Sequence, residues 1–284
     1  MLLLAAVFWG LGTVVIKDTV DSFPPIWLVG IRFTSAGIIT SLVVLPRVIR
    51  CLQDRKNWSI ALLLGVFLAL TYLFNSVGLL FTSASKSTFY TNTYCIMVPF
   101  IMWAFYRRRP VRASFFAAVL CVAGISLVSL AQGVDSFDFN VGDGLTMVSA
   151  AAVATHLVLV AHFSKGRDAL ALTCLQFLVC GIFSIAIAPL FEGIPNFIIL
   201  REPDVLQNLV YLVIFASCAA LSLQNVGITH VEPAAGSLLL ATECLFGVFF
   251  SVLLLGELVT PIMVAGFVVS AAAVVISQVF TPEE

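Results

Sequence analysis

Residues 71–110 read TYLFNSVGLLFTSASKSTFYTNTYCIMVPFIMWAFYRRRP, and this stretch decides what kind of fold the chain can adopt. Two apolar segments meet at Thr82-Ser83-Ala84-Ser85, a turn of small residues. From Ser85 to Tyr94 only Phe89 is plainly apolar, yet the following residues are membrane-like and end in Arg107-Arg108-Arg109. At about 100° per residue the polar side chains run all the way round a helix. Ser85, Thr88 and Asn92 fall on one side, Lys86, Tyr90 and Thr93 on another, Ser87, Thr91 and Tyr94 on a third. Such a helix cannot face lipid; it must be enclosed by other helices or border a wet cavity. Pro99 removes the bond to the Cys95 carbonyl and predicts a kink halfway along.

The rest of the chain supplies the enclosing helices. It is 61% apolar and 10% charged, with mean hydropathy +1.11, where a soluble domain carries roughly 25% charged residues. This is the composition of a polytopic membrane protein, all-α, with the lipid bilayer as its solvent. A net charge of −1 implies no nucleic-acid partner. The seven cysteines form no CxxC pair and mostly sit in apolar segments, so they read as small apolar filler. No metal site and no cofactor is expected. Met1–Ile16 lacks the basic start and the cleavage site of a signal peptide and reads as a first transmembrane helix. It is short for about 30 Å of hydrocarbon, so it starts upstream or runs on to Val20.

Ten spans are predicted: Leu2–Ile16, Ile26–Pro46, Trp58–Leu80, Ala84–Tyr106, Val111–Ala131, Gly142–Phe163, Ala169–Phe191, Val205–Val226, Pro233–Leu255 and Leu258–Phe280. Basic residues orient them. Arg47, Arg50, Arg55 and Lys56, then Arg107, Arg108, Arg109 and Arg112, then Lys165 and Arg167 all fall on one side. The opposite links hold Lys17 and Arg201 among Asp18, Asp21, Asp135, Asp138, Asp143, Glu192, Glu202 and Asp204. The positive-inside rule places the basic side, and with ten spans both termini, in the cytoplasm. Five spans precede the link 132–141 and five follow it, which forces residues 1–131 and 142–280 into opposite orientations. The segment 24–33 parallels 168–177, and Ser83-Ala84-Ser85 parallels Glu232-Pro233-Ala234. Two inverted five-helix repeats of this kind are a transporter device, with the site at their interface.

At these landmarks the chain resembles the drug/metabolite transporter superfamily, in particular ten-helix proteins built from two EamA domains. Trp9-Gly10, Lys17, Pro24-Pro25 and Arg32-Phe33 are similar to the opening helices of that domain. Gly78-Leu79 with Thr82-Ser83-Ala84-Ser85 resembles its third-to-fourth corner, and Leu255-Gly256-Glu257-Leu258 with Gly266 its closing pair. The resemblance implies a protein that exports or exchanges a small metabolite, often an amino acid, through a central cavity in the cytoplasmic membrane. Two departures stand out. Arg107-Arg108-Arg109-Pro110 replaces a Gly-Glu pair, and Glu243-Cys244 replaces Glu-Pro, removing the residue expected to kink the ninth helix there.

Glu243 lies near the middle of the ninth span, where a carboxylate costs roughly 2.5–3.5 kcal/mol on insertion scales. It reads either as a proton-coupling or substrate-amine site, protons being the coupling ion in the first case, or as an acid bonded to a neighbouring helix. Arg32 could meet a substrate carboxylate; a structural pair with Asp18 or Asp21 is the favoured alternative. Lys86 reads as a snorkelling or gate residue. Tyr90, Asn92 and Thr93 are expected to line a cavity suited to a small solute, with Trp9, Asn75, His156 and Gln176 contributing. His156 is more often a bonded interior histidine than a relay. Gln224 and Asn225 are expected to cap or gate the cytoplasmic end. An enzyme is disfavoured by the absence of HExxH, GxSxG and P-loop motifs. A lipid translocator or a non-transporting receptor are the competing classes.

Overall fold

The computed structural model describes residues 1–107, 112–131, 139–255 and 260–280, and these are helical without a strand. The helices are α1 (Leu2–Val20), α2 (Pro25–Val43), α3 (Leu45–Leu52), α4 (Arg55–Gly78), α5 (Ala84–Asn92), α6 (Tyr94–Tyr106) and α7 (Arg112–Ala131). They continue with α8 (Val141–Phe163), α9 (Ala169–Glu192), α10 (Pro203–Tyr211), α11 (Ala220–Gly227), α12 (Pro233–Ala241), α13 (Glu243–Leu255) and α14 (Pro261–Phe280). Six described segments are long and apolar enough to cross a membrane, and shorter apolar helices accompany them. The molecule is a multi-pass membrane protein.

Helix starts follow the capping chemistry of the sequence. Asp54 accepts from the Lys56 N–H, Ser83 from the Lys86 N–H and Asp168 from the Ala171 N–H. Asn140 and Asp143 form a reciprocal capping box on α8. Asp143 is fully buried and also takes the Thr82 hydroxyl at 2.6 Å, tying the corner before α5 to the start of α8.

Several elements differ from the expected spans. The second span does not reach Pro46: α2 ends at Val43, and the short α3 follows. The fourth span is interrupted at Thr93 rather than at Pro99, and α6 runs on through Pro99. The ninth is interrupted at Thr242, although no proline stands there. Both breaks have one cause. The Thr93 hydroxyl donates to the Tyr90 carbonyl and the Thr242 hydroxyl to the Leu239 carbonyl, each at 2.6 Å. A side chain inserted into the backbone ladder bends the helix it belongs to. The eighth span is π-helical over Leu212–Ala219, between α10 and α11. Arg108-Arg109-Pro110, positions 132–138 of the central link and Gly256-Glu257-Leu258 lie outside the described residues.

The most extensive contacts pair α2 with α9 and α7 with α14; α4 packs on α8 and α9, and α1 on α13. The α2–α9 pair is antiparallel and clamped at both ends. At one end the Glu192 carboxylate accepts the N–H groups of Ile26 (2.9 and 3.1 Å) and Trp27 (3.1 Å), filling orphan donors in the first turn of α2. At the other end Arg47 forms a two-point ion pair with Asp168, at 2.6 and 2.8 Å. Partial burial alone would raise the Asp168 carboxyl. The Arg47 contact and the Ala171 N–H outweigh it and hold it below its ordinary value. That contribution is therefore present above the usual aspartate range and fades as pH falls below it. Glu192→Ala removes three acceptor contacts at once, and we expect it to destabilise the purified protein by about 1–3 kcal/mol. A thermal melt in detergent checks this; an unchanged midpoint would show that the α2 N-terminus needs no partner from α9.

Candidate functional site

The helices enclose a cavity of about 90 Å³. Its wall comes from α1 (Trp9, Gly12, Thr13, Ile16), α2 (Arg32), α4 (Leu68, Thr71, Tyr72, Asn75), α5 and α6 (Thr88, Thr91, Tyr94) and α8 (Ser149, Val153, His156). The eighth and ninth spans close it with Ala216, Leu221, Gln224 and Glu243. The size is of the same order as the roughly 150 Å³ that admits a benzene-sized molecule. The wall mixes apolar surface with a few convergent polar groups, which is the general make-up of a small-molecule site.

The α5/α6 break sets which polar residues face inward. Thr88, Thr91 and Tyr94 line the cavity, whereas Tyr90 and Thr93 do not. Tyr90 packs edge-on against Phe139, 5.9 Å between ring centres. Thr93 holds the break through its bond to the Tyr90 carbonyl. Asn92 is fully buried one layer behind the wall. Its amide donates to the Thr88 carbonyl at 2.9 Å and to Glu243 Oε1 at 3.3 Å, so it fixes the one carboxylate among the described lining residues. Asn75 donates to the hydroxyls of Ser87 and Thr91, at 3.3 and 3.2 Å. Trp9 donates its indole N–H to the Ala216 carbonyl at 2.9 Å.

Arg32 corrects the structural pairing expected for it. Asp21 binds Lys17 at 3.0 Å and Asp18 accepts from Asn208 at 2.7 Å, so neither meets Arg32. Arg32 instead lies 2% exposed against the cavity, its Nε donating to the Ser217 hydroxyl at 2.7 Å. Its guanidinium carbon stands 5.0 Å from the Phe33 ring centre and 4.7 Å from that of Tyr72. Cation–π attraction accounts for this stacking. The partners of Trp9 and Arg32 both belong to the π-helical stretch, and π-bulges recur at functional sites.

His156 and Gln176 meet in the interior, with Nε2 and Oε1 2.7 Å apart. A carbonyl oxygen only accepts, so Nε2 donates and Nδ1 is left as the acceptor in the neutral ring. His156 borders the cavity; Gln176 orients it from behind. Lys86 stands in the first turn of α5, off the cavity wall. Gln224 lines the cavity, its amide donating to Asn225, which in turn donates to the Thr173 hydroxyl. It was expected only to cap or gate. Thr13, Thr71, Tyr72 and Ser149 also line the wall and carry no sequence signal, because isolated hydroxyls in apolar helices are common as packing residues.

Comparison with known proteins agrees with this architecture. An uncharacterized transporter of Archaeoglobus fulgidus is 27% identical over 97% of this chain and 84% of its own. The uncharacterized transporter YwfM of Bacillus subtilis is 26% identical over 95% of this chain and 92% of its own. A solved crystal structure superposes with TM-score 0.78 at 15% identity, over 97% of this chain and 94% of that one, a likeness of fold alone. The model of the EamA-like transporter family matches residues 1–130 and again 140–278. The chain belongs to the EamA-like transporter family.

Proposed function

We propose that this protein is a secondary transporter that moves a small metabolite, an amino acid or a similar solute, across the cytoplasmic membrane by alternating access, as an exporter or exchanger. The observation that carries the reading is the cavity itself. Buried Arg32 and Glu243 reach it from opposite halves of the chain, with His156, Asn75, Thr91 and Gln224 between apolar walls. Ionisable groups at membrane depth mark solute or proton pathways by default. Substrate contacts are assigned to Trp9, Asn75 and Glu243, with Asn92 supporting Glu243. Tyr90 and Thr93 act through the shape of the broken helix.

The reading includes ten spans in two inverted repeats, residues 1–131 and 142–280. Contacts that exchange between the halves support it. With Phe33 equivalent to Phe177, Gly37 lies against Leu178 and Gly181 against Thr34, the same pair with the halves swapped. The Phe33 and Phe177 rings meet 5.7 Å apart on the line between them. The breaks at Thr93 and Thr242 are equivalent, each after nine helical residues and before thirteen. The α4–α8 contact has its counterpart where α1 meets the eighth span. Rocking of one bundle against the other would then open the site to each side in turn, with the close approach of Gly10 to Gly247 giving a smooth seam between α1 and α13.

Uptake and counterflow of radiolabelled solutes in proteoliposomes test the reading; absence of protein-dependent flux for every small metabolite offered would overturn it. Orientation is tested separately. Ser22 and Arg50 are both exposed, and the reading puts Ser22 outside and Arg50 in the cytoplasm. Ser22→Cys should react in intact cells with a thiol probe that cannot cross the membrane, and Arg50→Cys should not. The reverse pattern would invert the topology.

A further inference from the structure

We infer that Arg32 is the carboxylate anchor of the transport site, so that the cargo is a carboxylate-bearing solute and, with Glu243 opposite, an amino acid in its zwitterionic form. This rests on the transporter reading above and narrows it. A guanidinium has five donors and no acceptor. One donor of Arg32 is used by Ser217, and its faces are covered by Phe33 and Tyr72. Among the described residues no carboxylate comes within 4.0 Å of it; the described ion pairs are Lys17–Asp21 and Arg47–Asp168. Its terminal amino groups therefore border the cavity as an unfilled fork, the geometry that binds a carboxylate by two parallel hydrogen bonds. A buried cation held by one hydroxyl and two rings is favourable only if something completes it, and here the cavity is the space left for that something.

The repeat sharpens the assignment. In the register that equates Phe33 with Phe177, Arg32 corresponds to Gln176, which is neutral and bonded to His156. In the register that equates Thr93 with Thr242, Glu243 corresponds to Tyr94, whose hydroxyl donates to the Ser237 carbonyl at 3.2 Å. Each charge thus stands alone at its pseudo-symmetric position, a cation from the first half and an anion from the second. The cavity is polarised, and a solute with both charges has a preferred direction in it. A polyphosphate would meet one cation and a repelling carboxylate. A simple amine would leave Arg32 uncompensated.

Matched probes test the proposal on the wild-type protein: free α-amino acids, the corresponding amides, and the amines lacking the carboxyl group. Thermal stabilisation in detergent and counterflow in proteoliposomes are the readouts. The amino acids should bind and exchange, and the amides and amines should fall behind by roughly 10- to 100-fold, the loss of a charge-assisted pair. Arg32→Gln should erase the preference for the acid over its amide, while Arg32→Lys should keep it in weakened form. If amides or amines serve the wild type as well as the acids, or Arg32→Gln keeps the preference, the proposal is overturned. If Arg32→Gln fails to fold, the wild-type comparison decides alone. Flux confined to solutes without a carboxylate would leave the transporter reading intact and remove this one; no binding and no flux would remove both.

Discussion

Glu243→Gln is expected to lower transport by roughly tenfold or more, the scale set by losing a charged partner in a desolvated site. Any residual flux should no longer respond to an imposed pH gradient. The substitution is chosen because it keeps the local structure. Glutamine can accept from Asn92 Nδ2 as Glu243 Oε1 does, at 3.3 Å in the wild type. Its amide can also approach Asn92 Oδ1, which is buried without a hydrogen-bond partner. Folding should therefore survive while the charge is lost.

Other titratable groups line the same cavity, namely Arg32 on α2, Tyr72 on α4, Tyr94 on α6 and His156 on α8. His156→Gln is the informative companion. His156 is bonded to Gln176 and its exchange of protons with the cavity would pass through Nδ1. If proton sensitivity disappears in His156→Gln and persists in Glu243→Gln, the coupling group is the histidine. A Glu243→Gln protein with full flux and unchanged pH response would eliminate a coupling role for the carboxylate. One that fails to reach a folded, monodisperse state would show that Glu243 ties the bundle together.

The long-range meeting of Asn92 with Glu243 was legible in outline, because a helix polar on every side must be enclosed and a midplane carboxylate must find a polar neighbour. Which side of that helix faces the cavity was not. With polar residues all round, the helical period offers no apolar face to orient by, and Thr88, Thr91 and Tyr94 differ from Tyr90 and Thr93 only through the break. The break itself was misplaced at Pro99, since proline is the strong local signal and a threonine bonding back to its own turn looks like any other threonine. Arg32 was misjudged for a related reason. Asp18 and Asp21 are its nearest acids along the chain, but Lys17 and Asn208 already hold them, and only packing reveals that. The π-helical stretch that supplies Ala216 and Ser217 has no pattern in an apolar run. The class of protein, by contrast, needed only composition, and the landmarks of the two EamA domains needed only their order.

Gly181→Val is expected to abolish folding, with the largest loss of stability among these substitutions. A Cβ at Gly181 would collide with the hydroxyl and backbone N of Thr34 and stand 2.8 Å from its Cα. Thr34 belongs to α2 and Gly181 to α9, the pair clamped at its ends by Glu192 and by Arg47–Asp168. Backbone cannot turn aside as a side chain can, so the two helices would have to separate along their length. Ordinary overpacking costs about 1–3 kcal/mol; here the obstacle is backbone and the end clamps resist separation, so about 3 kcal/mol or more is the expected scale. The pseudo-equivalent Gly37 is the control. A Cβ there meets chiefly the Leu178 side chain, at 2.7 Å, which can change rotamer. Gly37→Ala should therefore lower the melting midpoint modestly, and Gly181→Ala by clearly more. Size-exclusion profiles and melts of the three variants in one detergent measure the order. A Gly181→Val protein that melts like the wild type would mean that α2 and α9 do not approach at Thr34. In that case Arg32, carried on the same face-to-face pair one turn away, would lose the rigid support that holds its fork toward the cavity.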